Sequence, residues 1–398
     1  MIPVGTNLSL KNKPWATELI ILANLCVFLF QPRGDQDIEF WIRSYFCTVP
    51  GEQYPWQFIT SMFMHGDIFH IFGNLLFLWI FGRFVEDKLG WKDYLFLYFL
   101  TGIAASLVYG LMAGLFMRES LFIPSLGASG AISGIMGVYL YRCYYSKIKL
   151  LLSFFFPVRV QVPAVIILGF WFLKDLVGGI DSIRGFYSNV AFWAHVGGFS
   201  AGLGACKYLC YEKQARKEKL EFVAETTLGQ YGGYGEGIEA TEKLLETDPD
   251  NPQWHLNLAR AKTRWRASQE GKDHYEKAIK LLLEKEPDKA AEVYAEYWKK
   301  YLSVLEPRYQ VRLSFLLNKQ GYTDLSVRSL EVLTGSKQAR DVHMEKAFLD
   351  LARIYAEGLK REDLARYTYE KYLREFPASR QRKFVEKALG SSRKEASP

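Results

Sequence analysis

The chain divides into two halves that differ in their pattern of hydrophobic and polar positions. Up to about Tyr211 it is apolar, aromatic and rich in glycine, and from Glu212 onward it is charged and rich in helix-forming residues. The first half contains six apolar stretches with the length of membrane helices. They are roughly 16–31, 66–84, 94–116, 127–145, 158–177 and 190–210. The pattern therefore predicts an all-α protein with a six-span bundle at 1–211, a charged linker at 212–222 and a soluble domain at 223–398.

The second half shows a helical period interrupted by glycine and proline. The segment LARIYAEGLKREDLARYTYEKYLREFP, residues 351–377, has apolar and alanine positions at helical spacing, a break near Gly358 and a closing proline. Residues 237–252 and 274–288 end in a similar way. This pattern resembles tetratricopeptide helix-turn-helix repeats, which bind a protein or peptide in a groove. An ordinary helical bundle is the alternative, because the spacing of Pro249 and Pro287 exceeds the usual repeat length of about 34 residues.

The net charge of +7 does not indicate nucleic-acid binding, because positive residues concentrate beside the apolar spans. Cytoplasmic loops of membrane proteins carry such an excess of Lys and Arg. With six spans, this distribution predicts that both termini lie in the cytoplasm and that the start of the fourth span faces the outer side. The residues on the positive side are Lys11, Lys13, Arg83, Lys88, Lys92, Arg142, Lys147, Lys149, Arg159, Lys207, Lys213, Arg216, Lys217 and Lys219.

The five cysteines and the N-terminal apolar stretch add two narrower expectations. An odd number of cysteines without ligand spacing predicts neither a disulfide framework nor a zinc site. The sequence after the first apolar stretch, VFLFQPRG, offers no small-x-small cleavage site. We therefore interpret residues 1–31 as containing a retained membrane span.

A serine between small residues opens the fourth apolar stretch. Ser129 follows Gly127 and Ala128 and precedes Gly130. Such a sequence permits a tight entry into a helix, whose first N–H groups and dipole favour negative charge. Ser129 is therefore a candidate nucleophile, and the alternative is a helix-capping serine without a catalytic role.

A histidine in the sixth stretch is the candidate base. His195 lies in AFWAHVGGFSAG, with Gly198 and Gly202 on its own helical face. Residues 130, 134 and 137 are glycines that mark one face of the fourth stretch, and small residues at this spacing let membrane helices pack closely. If the two faces meet, the imidazole can take the proton of the Ser129 hydroxyl. The alternative is a structural histidine bonded to a carbonyl group.

Polar groups in the second stretch are candidates for stabilising an oxyanion. His70 and Asn74 are four residues apart and share one face of a helix, and both can donate hydrogen bonds without a net charge. The alternative is a polar contact between helices. His65 and His70, five apart, are expected on different faces, which argues against a metal site. Apart from Asp67, we identify no charged group among these polar residues, and this disfavours an ion-coupled transporter.

These three segments resemble the rhomboid family of intramembrane serine proteases over roughly residues 15–210. The segments are HGDIFHIFGNLLFLWIFG at 65–82, GASGAISGIMG at 127–137 and AFWAHVGGFSAG at 191–202. The resemblance implies a dyad of Ser129 and His195 without an acidic third member. It also implies an oxyanion hole formed by Asn74, His70 and the backbone N–H of Ser129.

The resemblance implies further features around this site. Gly82 and Glu86 would form a structural turn after the second span. The fifth span, with Pro163 and Phe170-Trp171-Phe172, would be the lateral gate for a substrate helix. One departure is Trp56-Gln57, where many bacterial members have Trp-Arg, so the packing of this loop is expected to differ.

The resemblance thus implies an endopeptidase of the bacterial inner membrane that cleaves transmembrane segments of single-span proteins and needs no cofactor. Its active site would face the outer side, within the lipid bilayer, and the C-terminal repeats would bind an unidentified protein or peptide. Two alternatives remain open. One is a catalytically silent rhomboid-like protein that binds membrane helices, and the other is a small six-span transporter.

Overall fold

Helices build most of the protein, which divides into two units, Met1–Lys219 and Leu220–Pro398. The computed structural model describes residues 2–32, 36–152, 158–186, 188–228, 234–336 and 340–395. The first unit contains the segments with the candidate catalytic residues. The second unit contains the helices of the predicted repeats.

Among the described residues of the first unit, the longer helices are seven. They are α1 (Trp15–Phe30), α2 (Gln36–Phe46), α3 (Ile68–Leu89), α4 (Trp91–Phe116), α5 (Ser129–Cys143), α6 (Ala164–Ile183) and α7 (Phe192–Tyr208). Within α3, residues Leu78–Gly82 form a π-helical turn. The core between these helices is built from buried aliphatic and aromatic side chains, among them Leu78, Phe81, Tyr98, Ile135 and Tyr139.

A small antiparallel sheet accompanies the helices and was not predicted from the sequence. Its strands are β1 (Ile2–Thr6), β2 (Lys147–Leu151) and β3 (Arg159–Pro163), in the order β1-β2-β3. The predicted fifth span, 158–177, was therefore placed about six residues too early. Residues 159–163 pair with β2, and α6 begins only after Pro163, whose ring lacks the N–H that a continuing ladder would need.

Two of the helices, α3 and α4, are long and apolar enough to cross a membrane by length and composition, and α1 is a shorter apolar helix. The helices α5 and α7 have 15 and 17 residues. The 20-residue α6 carries three charged residues, Lys174, Asp175 and Asp181. Because α5 and α7 are short for a membrane span and α6 carries charged residues, the number of six spans stays a prediction.

The glycine faces of α5 and α7 pack against each other, as predicted. A Cβ atom on Gly198 would overlap the backbone oxygen of Gly130, and one on Gly202 would overlap the backbone oxygen of Gly134. A Cβ atom on Gly137 would likewise overlap the backbone oxygen of Phe199. The absence of side chains at these positions therefore lets the two backbones approach closely.

The segment after the second apolar stretch is helical, whereas a turn was expected at Gly82 and Glu86. The carboxylate of Glu86, which is only 4% exposed, reaches across to the start of α1. It accepts hydrogen bonds from the backbone N–H groups of Ala16 (2.9 Å) and Thr17 (2.7 Å) and from the Thr17 hydroxyl (2.7 Å). Glu86 thus satisfies N–H groups that the first turn of α1 cannot satisfy internally.

The loop before α3 is held by Gln57, at the position where the resemblance led us to expect different packing. Gln57 is fully buried, and its amide donates to the backbone oxygen of Ser44 (2.8 Å) and accepts from the N–H of Tyr54 (3.0 Å). The indole N–H of Trp56 donates to the backbone oxygen of Tyr45 (3.0 Å). A neutral amide therefore anchors this loop through backbone groups.

Helical hairpins build the rest of the described chain. The helices are α8 (Glu212–Thr227), α9 (Tyr234–Thr247), α10 (Pro252–Lys262), α11 (Gln269–Lys285), α12 (Pro287–Tyr301), α13 (Pro307–Lys319), α14 (Thr323–Gly335), α15 (Val342–Arg353), α16 (Glu362–Glu375) and α17 (Arg382–Glu395). A π-helical turn, Ile354–Gly358, extends α15. The stretch 212–222, predicted as a linker, is part of helix α8.

Candidate active site

Ser129 is the first residue of α5 and lies where a loop enters that helix. The preceding Gly127 has φ +117°, a conformation that favours glycine, and its N–H donates to the backbone oxygen of Ser61 (2.9 Å). This turn sets the Ser129 hydroxyl at the N-terminus of the helix. The first N–H groups of α5 have no intrahelical acceptor and are available to a negatively charged oxygen.

His195, in the first turn of α7, reaches the candidate nucleophile. Its Nε2 lies 2.9 Å from Oγ of Ser129, a hydrogen-bond distance. The glycines that bring α5 and α7 together lie on the same faces as these two side chains, so helix packing directly determines this distance. A serine hydroxyl bonded to an imidazole is the pairing that general-base activation requires.

His70 and Asn74 lie on α3 on the other side of Gly127. An ideal Cβ on Gly127 would lie 2.7 Å from Nε2 of His70 and 3.5 Å from Nδ2 of Asn74. Helix α3 begins after Asp67, whose carboxylate accepts from the N–H groups of Phe69 (2.8 Å) and His70 (2.9 Å). The cap thereby fixes the helix that presents both donors.

His65 holds the Asn74 amide, a link that the sequence did not indicate. Nδ1 of His65 lies 3.2 Å from the backbone oxygen of Phe63, which only a protonated Nδ1 can satisfy. Nε2 is then an acceptor, and it lies 2.8 Å from Nδ2 of Asn74. The rings of His65 and His70 are 5.1 Å apart, so the expectation that they occupy different faces was wrong. The reason is that α3 begins only at Ile68, and helical spacing does not apply to His65.

Asp175 is a second side chain that the sequence interpretation missed. Its Oδ2 lies 3.1 Å from Nδ1 of His195, on the side of the ring away from Ser129. The resemblance implied no acidic third group, whereas the carboxylate of Asp175 lies beside His195 in this structure. Two other charged residues, Glu86 and Arg142, are buried in the first unit. Asp67 was the only charged group that we identified among the polar residues of the apolar stretches, so Arg142 and Asp175, which lie within the stretches 127–145 and 158–177, were overlooked.

A cavity of about 1440 Å³ connects these residues. Its lining includes Ser129, His195, His70, Asn74, Asp175 and Trp171. Near it, α3 and α6 meet through aromatic rings, with Phe77 and Trp171 at a centroid distance of 4.9 Å. Phe170, one residue earlier on α6, is 61% exposed. The candidate nucleophile therefore faces a large space that aromatic contacts between α3 and α6 border.

Comparison with known proteins connects this geometry to a family. Residues 52–212 match the Rhomboid domain. The chain is 33% identical over 167 residues to Rhomboid protein 1, mitochondrial, from Saccharomyces cerevisiae, covering 41% of this chain and 44% of that protein. It is 29% identical over 204 residues to Rhomboid protease GluP from Bacillus subtilis, covering 50% of this chain and 35% of that protein.

A third relative carries a different description. The chain is 30% identical over 168 residues to Inactive RHOMBOID-like protein 8 from Arabidopsis thaliana, covering 41% of this chain and 40% of that protein. The chain thus spans less than half the length of each of these three curated relatives. The domain match and these relatives show that residues 52–212 are similar to rhomboid proteins.

Proposed function

We propose that the protein is an intramembrane serine endopeptidase. The observation that carries this proposal is the distance of 2.9 Å between Nε2 of His195 and Oγ of Ser129, at a helix N-terminus that borders the cavity. A catalytic role for a hydroxyl needs a base within hydrogen-bond reach and donors for the developing oxyanion. His70, Asn74 and the backbone N–H of Ser129 are our candidates for the donors.

The reaction would pass through an acyl-enzyme. Oγ of Ser129 attacks the scissile carbonyl carbon while its proton moves to Nε2 of His195, and the carbonyl oxygen becomes the oxyanion. When the tetrahedral intermediate collapses, the C–N bond breaks and the proton on Nε2 passes to the leaving amine nitrogen. Water then attacks the ester carbonyl and gives a proton to Nε2 of His195. The bond between the carbonyl carbon and Oγ of Ser129 breaks as Oγ takes that proton back, and the acid product leaves.

Transmembrane segments of single-span proteins are the proposed substrates. A hydrogen-bonded helix hides its carbonyl groups, so a substrate must unwind locally before it can meet Ser129. Small or helix-breaking residues near the scissile bond would lower the cost of unwinding. We assign substrate entry to the border of α3 and α6, because the Phe77–Trp171 contact there consists of side chains that can rotate.

We further propose a location and a role for the second unit. The six helices α1 and α3–α7 would each cross the bacterial inner membrane, with both termini in the cytoplasm and the active site toward the outer face. The excess of positive residues in the loops supports this orientation. The hairpins formed by α9–α16 would be tetratricopeptide-like repeats that bind a protein or peptide.

The test is cleavage of a tagged single-span reporter in cells that express the wild type, Ser129→Ala or His195→Ala. We expect fragments from the wild type and none above background from either variant, with equal amounts of the three proteins in the membrane. Identical fragments from all three would refute the proposal. A variant that lacks residues 223–398 would show whether the repeats contribute to cleavage or to the choice of substrate.

A catalytically silent helix-binding protein is the second candidate, because one relative is named inactive. A fluorophosphonate probe separates the two, since it labels only a serine that a neighbouring base activates. Labelling that Ser129→Ala abolishes supports the protease. Reporter binding without labelling or cleavage supports the silent binder.

A further inference from the structure

Two charged residues of α6, Lys174 and Asp175, line the cavity of the candidate active site. Asp175 lies midway along this helix, and its side chain is 15% exposed, close to the 17% of His195. Three helices therefore contribute one side chain each to a continuous chain of polar atoms. It runs from Oδ2 of Asp175 to Nδ1 of His195 (3.1 Å) and from Nε2 of His195 to Oγ of Ser129 (2.9 Å).

The direction of these contacts decides which nitrogen of His195 carries the proton. An ionised carboxylate only accepts hydrogen bonds, so its contact with Nδ1 requires a proton on Nδ1. A neutral imidazole carries one proton, and Nε2 is then left unprotonated toward Ser129. This is the form of the ring that can take the hydroxyl proton.

Lys174 balances the charge of the carboxylate. Its Nζ lies 3.1 Å from Oδ1 of Asp175, and 58% of its side chain is exposed. The carboxylate therefore has a cation on one oxygen and the imidazole at the other. The other titratable side chains that line the cavity among the described residues are Arg43, Asp67, His70, Tyr109, Arg118 and Glu119.

We propose that Asp175 is a positioning residue, which holds His195 with Nε2 toward Ser129 and stabilises the imidazolium that forms when the hydroxyl proton is transferred. This inference rests on the proposed protease function. Asp175 takes no proton itself, because the proton on Nδ1 stays on the ring. The exposed ammonium of Lys174 reduces the negative electrostatic potential that Asp175 produces at His195.

The first test compares purified wild type with Asp175→Asn in lipid vesicles that contain a single-span reporter. We expect kcat to fall at least tenfold with KM within about twofold, because the change affects proton transfer and not binding. The acidic limb of the kcat–pH profile should move to lower pH, since the imidazolium loses its anionic neighbour. Asp181→Asn, on the same helix and with its carboxylate 3.5 Å from Arg184, should match the wild type in both respects.

Two results would overturn the inference while leaving the protease intact. One is an unchanged kcat and pH profile in Asp175→Asn when Ser129→Ala is inactive. The other is a lower kcat with no movement of the acidic limb, which would mean that Asp175 only supports the fold. If Ser129→Ala is as active as the wild type, the proposed function itself fails.

A second variant keeps the inference testable if Asp175→Asn does not fold. Lys174→Gln leaves the carboxylate in place and removes its positive neighbour. His195 then experiences more negative charge, and the acidic limb should move to higher pH, opposite to the shift in Asp175→Asn. An acidic limb that stays at the wild-type position in Lys174→Gln counts against the proposed role of Asp175.

Discussion

The side-chain amide nitrogen of Asn74 lies 2.8 Å from Nε2 of His65, a residue that is fully buried. The imidazole accepts one N–H of this amide, and Asn74 also lines the cavity. His65 in turn is fixed by the backbone oxygen of Phe63 and by its backbone contacts with Gln31. The proposed oxyanion donor therefore depends on a histidine that does not line the cavity.

Substitution of His65 should weaken catalysis although the Asn74 amide, the proposed donor, is still present. We expect His65→Ala to lower kcat of reporter cleavage by about 10- to 100-fold, since a displacement of about 1 Å can cost this much. A double-mutant cycle with Asn74→Ala is the measurement. Because both changes act through the same amide, the double variant should be no slower than Asn74→Ala alone. Effects that multiply would contradict this dependence.

The turn before Ser129 should accept no side chain. Gly127→Ala adds a Cβ 2.7 Å from Nε2 of His70 at a φ of +117°. The backbone strain alone costs about 1–2 kcal/mol, and the clash would also displace His70. We expect cleavage to fall to background. Gly90→Ala is the matched control, because its φ is +79° and no atom lies within 4 Å of the added Cβ. It should lose a similar amount of stability and keep its activity in the same reporter assay.

The contact of α5 and α7 should be equally intolerant of an added methyl group. Gly202→Ala places a carbon against the backbone oxygen of Gly134, and overpacking of this kind costs about 1–3 kcal/mol. We expect a lower midpoint of thermal unfolding in detergent and slower cleavage. In Gly204→Ala, two residues along the same helix, the added methyl group meets nothing within 4 Å. This variant should be unchanged or more stable by up to about 1 kcal/mol. Equal effects of the two substitutions would argue against the close packing.

Glu86 should contribute to stability through the start of α1. Glu86→Ala leaves the N–H groups of Ala16 and Thr17 without their acceptor, which costs about 1–3 kcal/mol for a buried donor. The free energy of unfolding in mixed micelles should fall by at least this amount. Glu18→Ala removes a carboxylate that is 40% exposed and 3.8 Å from Lys13, and it should cost less than about 1 kcal/mol. If Glu18→Ala proves as costly as Glu86→Ala, the capping role of Glu86 is excluded.

The second unit should lose stability in mild acid through a pair of histidines. Nδ1 of His255 lies 3.0 Å from Nδ1 of His274, and Nε2 of His255 lies 2.9 Å from the backbone oxygen of Pro249. Burial is the largest cause that lowers the pKa of both imidazoles. Between about pH 6.5, where an unperturbed histidine titrates, and the lowered pKa of the folded state, the unfolded chain binds more protons. The free energy of opening should therefore fall as the pH falls through this window.

Hydrogen exchange of α10 and α11 in the full chain, corrected for the pH dependence of intrinsic exchange, measures this change. The double variant His255→Gln, His274→Gln should flatten the dependence on pH. His343→Gln, which changes a histidine outside the pair, should retain it. A wild-type protein whose opening free energy is constant from about pH 7 to about pH 5 would contradict the prediction.

Periodicity and small-residue spacing predicted much of the first unit. The helical stretches around Ser129 and His195 follow from apolar runs, and the spacing of Gly198 and Gly202 was enough to predict which faces meet. These properties are local, because a helix turns by a fixed angle per residue and its face can be read from the chain. The start of α6 was predicted too early because residues 159–163 pair with strand β2. Strand pairing is a long-range interaction that a local sequence pattern does not reveal.

The sequence by itself indicated which helix faces can pack closely and which side chains are candidates for the nucleophile, the base and the donors. Only the tertiary structure decided that Asp175 lies beside His195, that His65 holds Asn74, and that Glu86 caps α1. Each of these contacts joins residues that are 9 to 70 positions apart. Their distances depend on how whole helices rotate and shift against one another, and no local period of the chain encodes that.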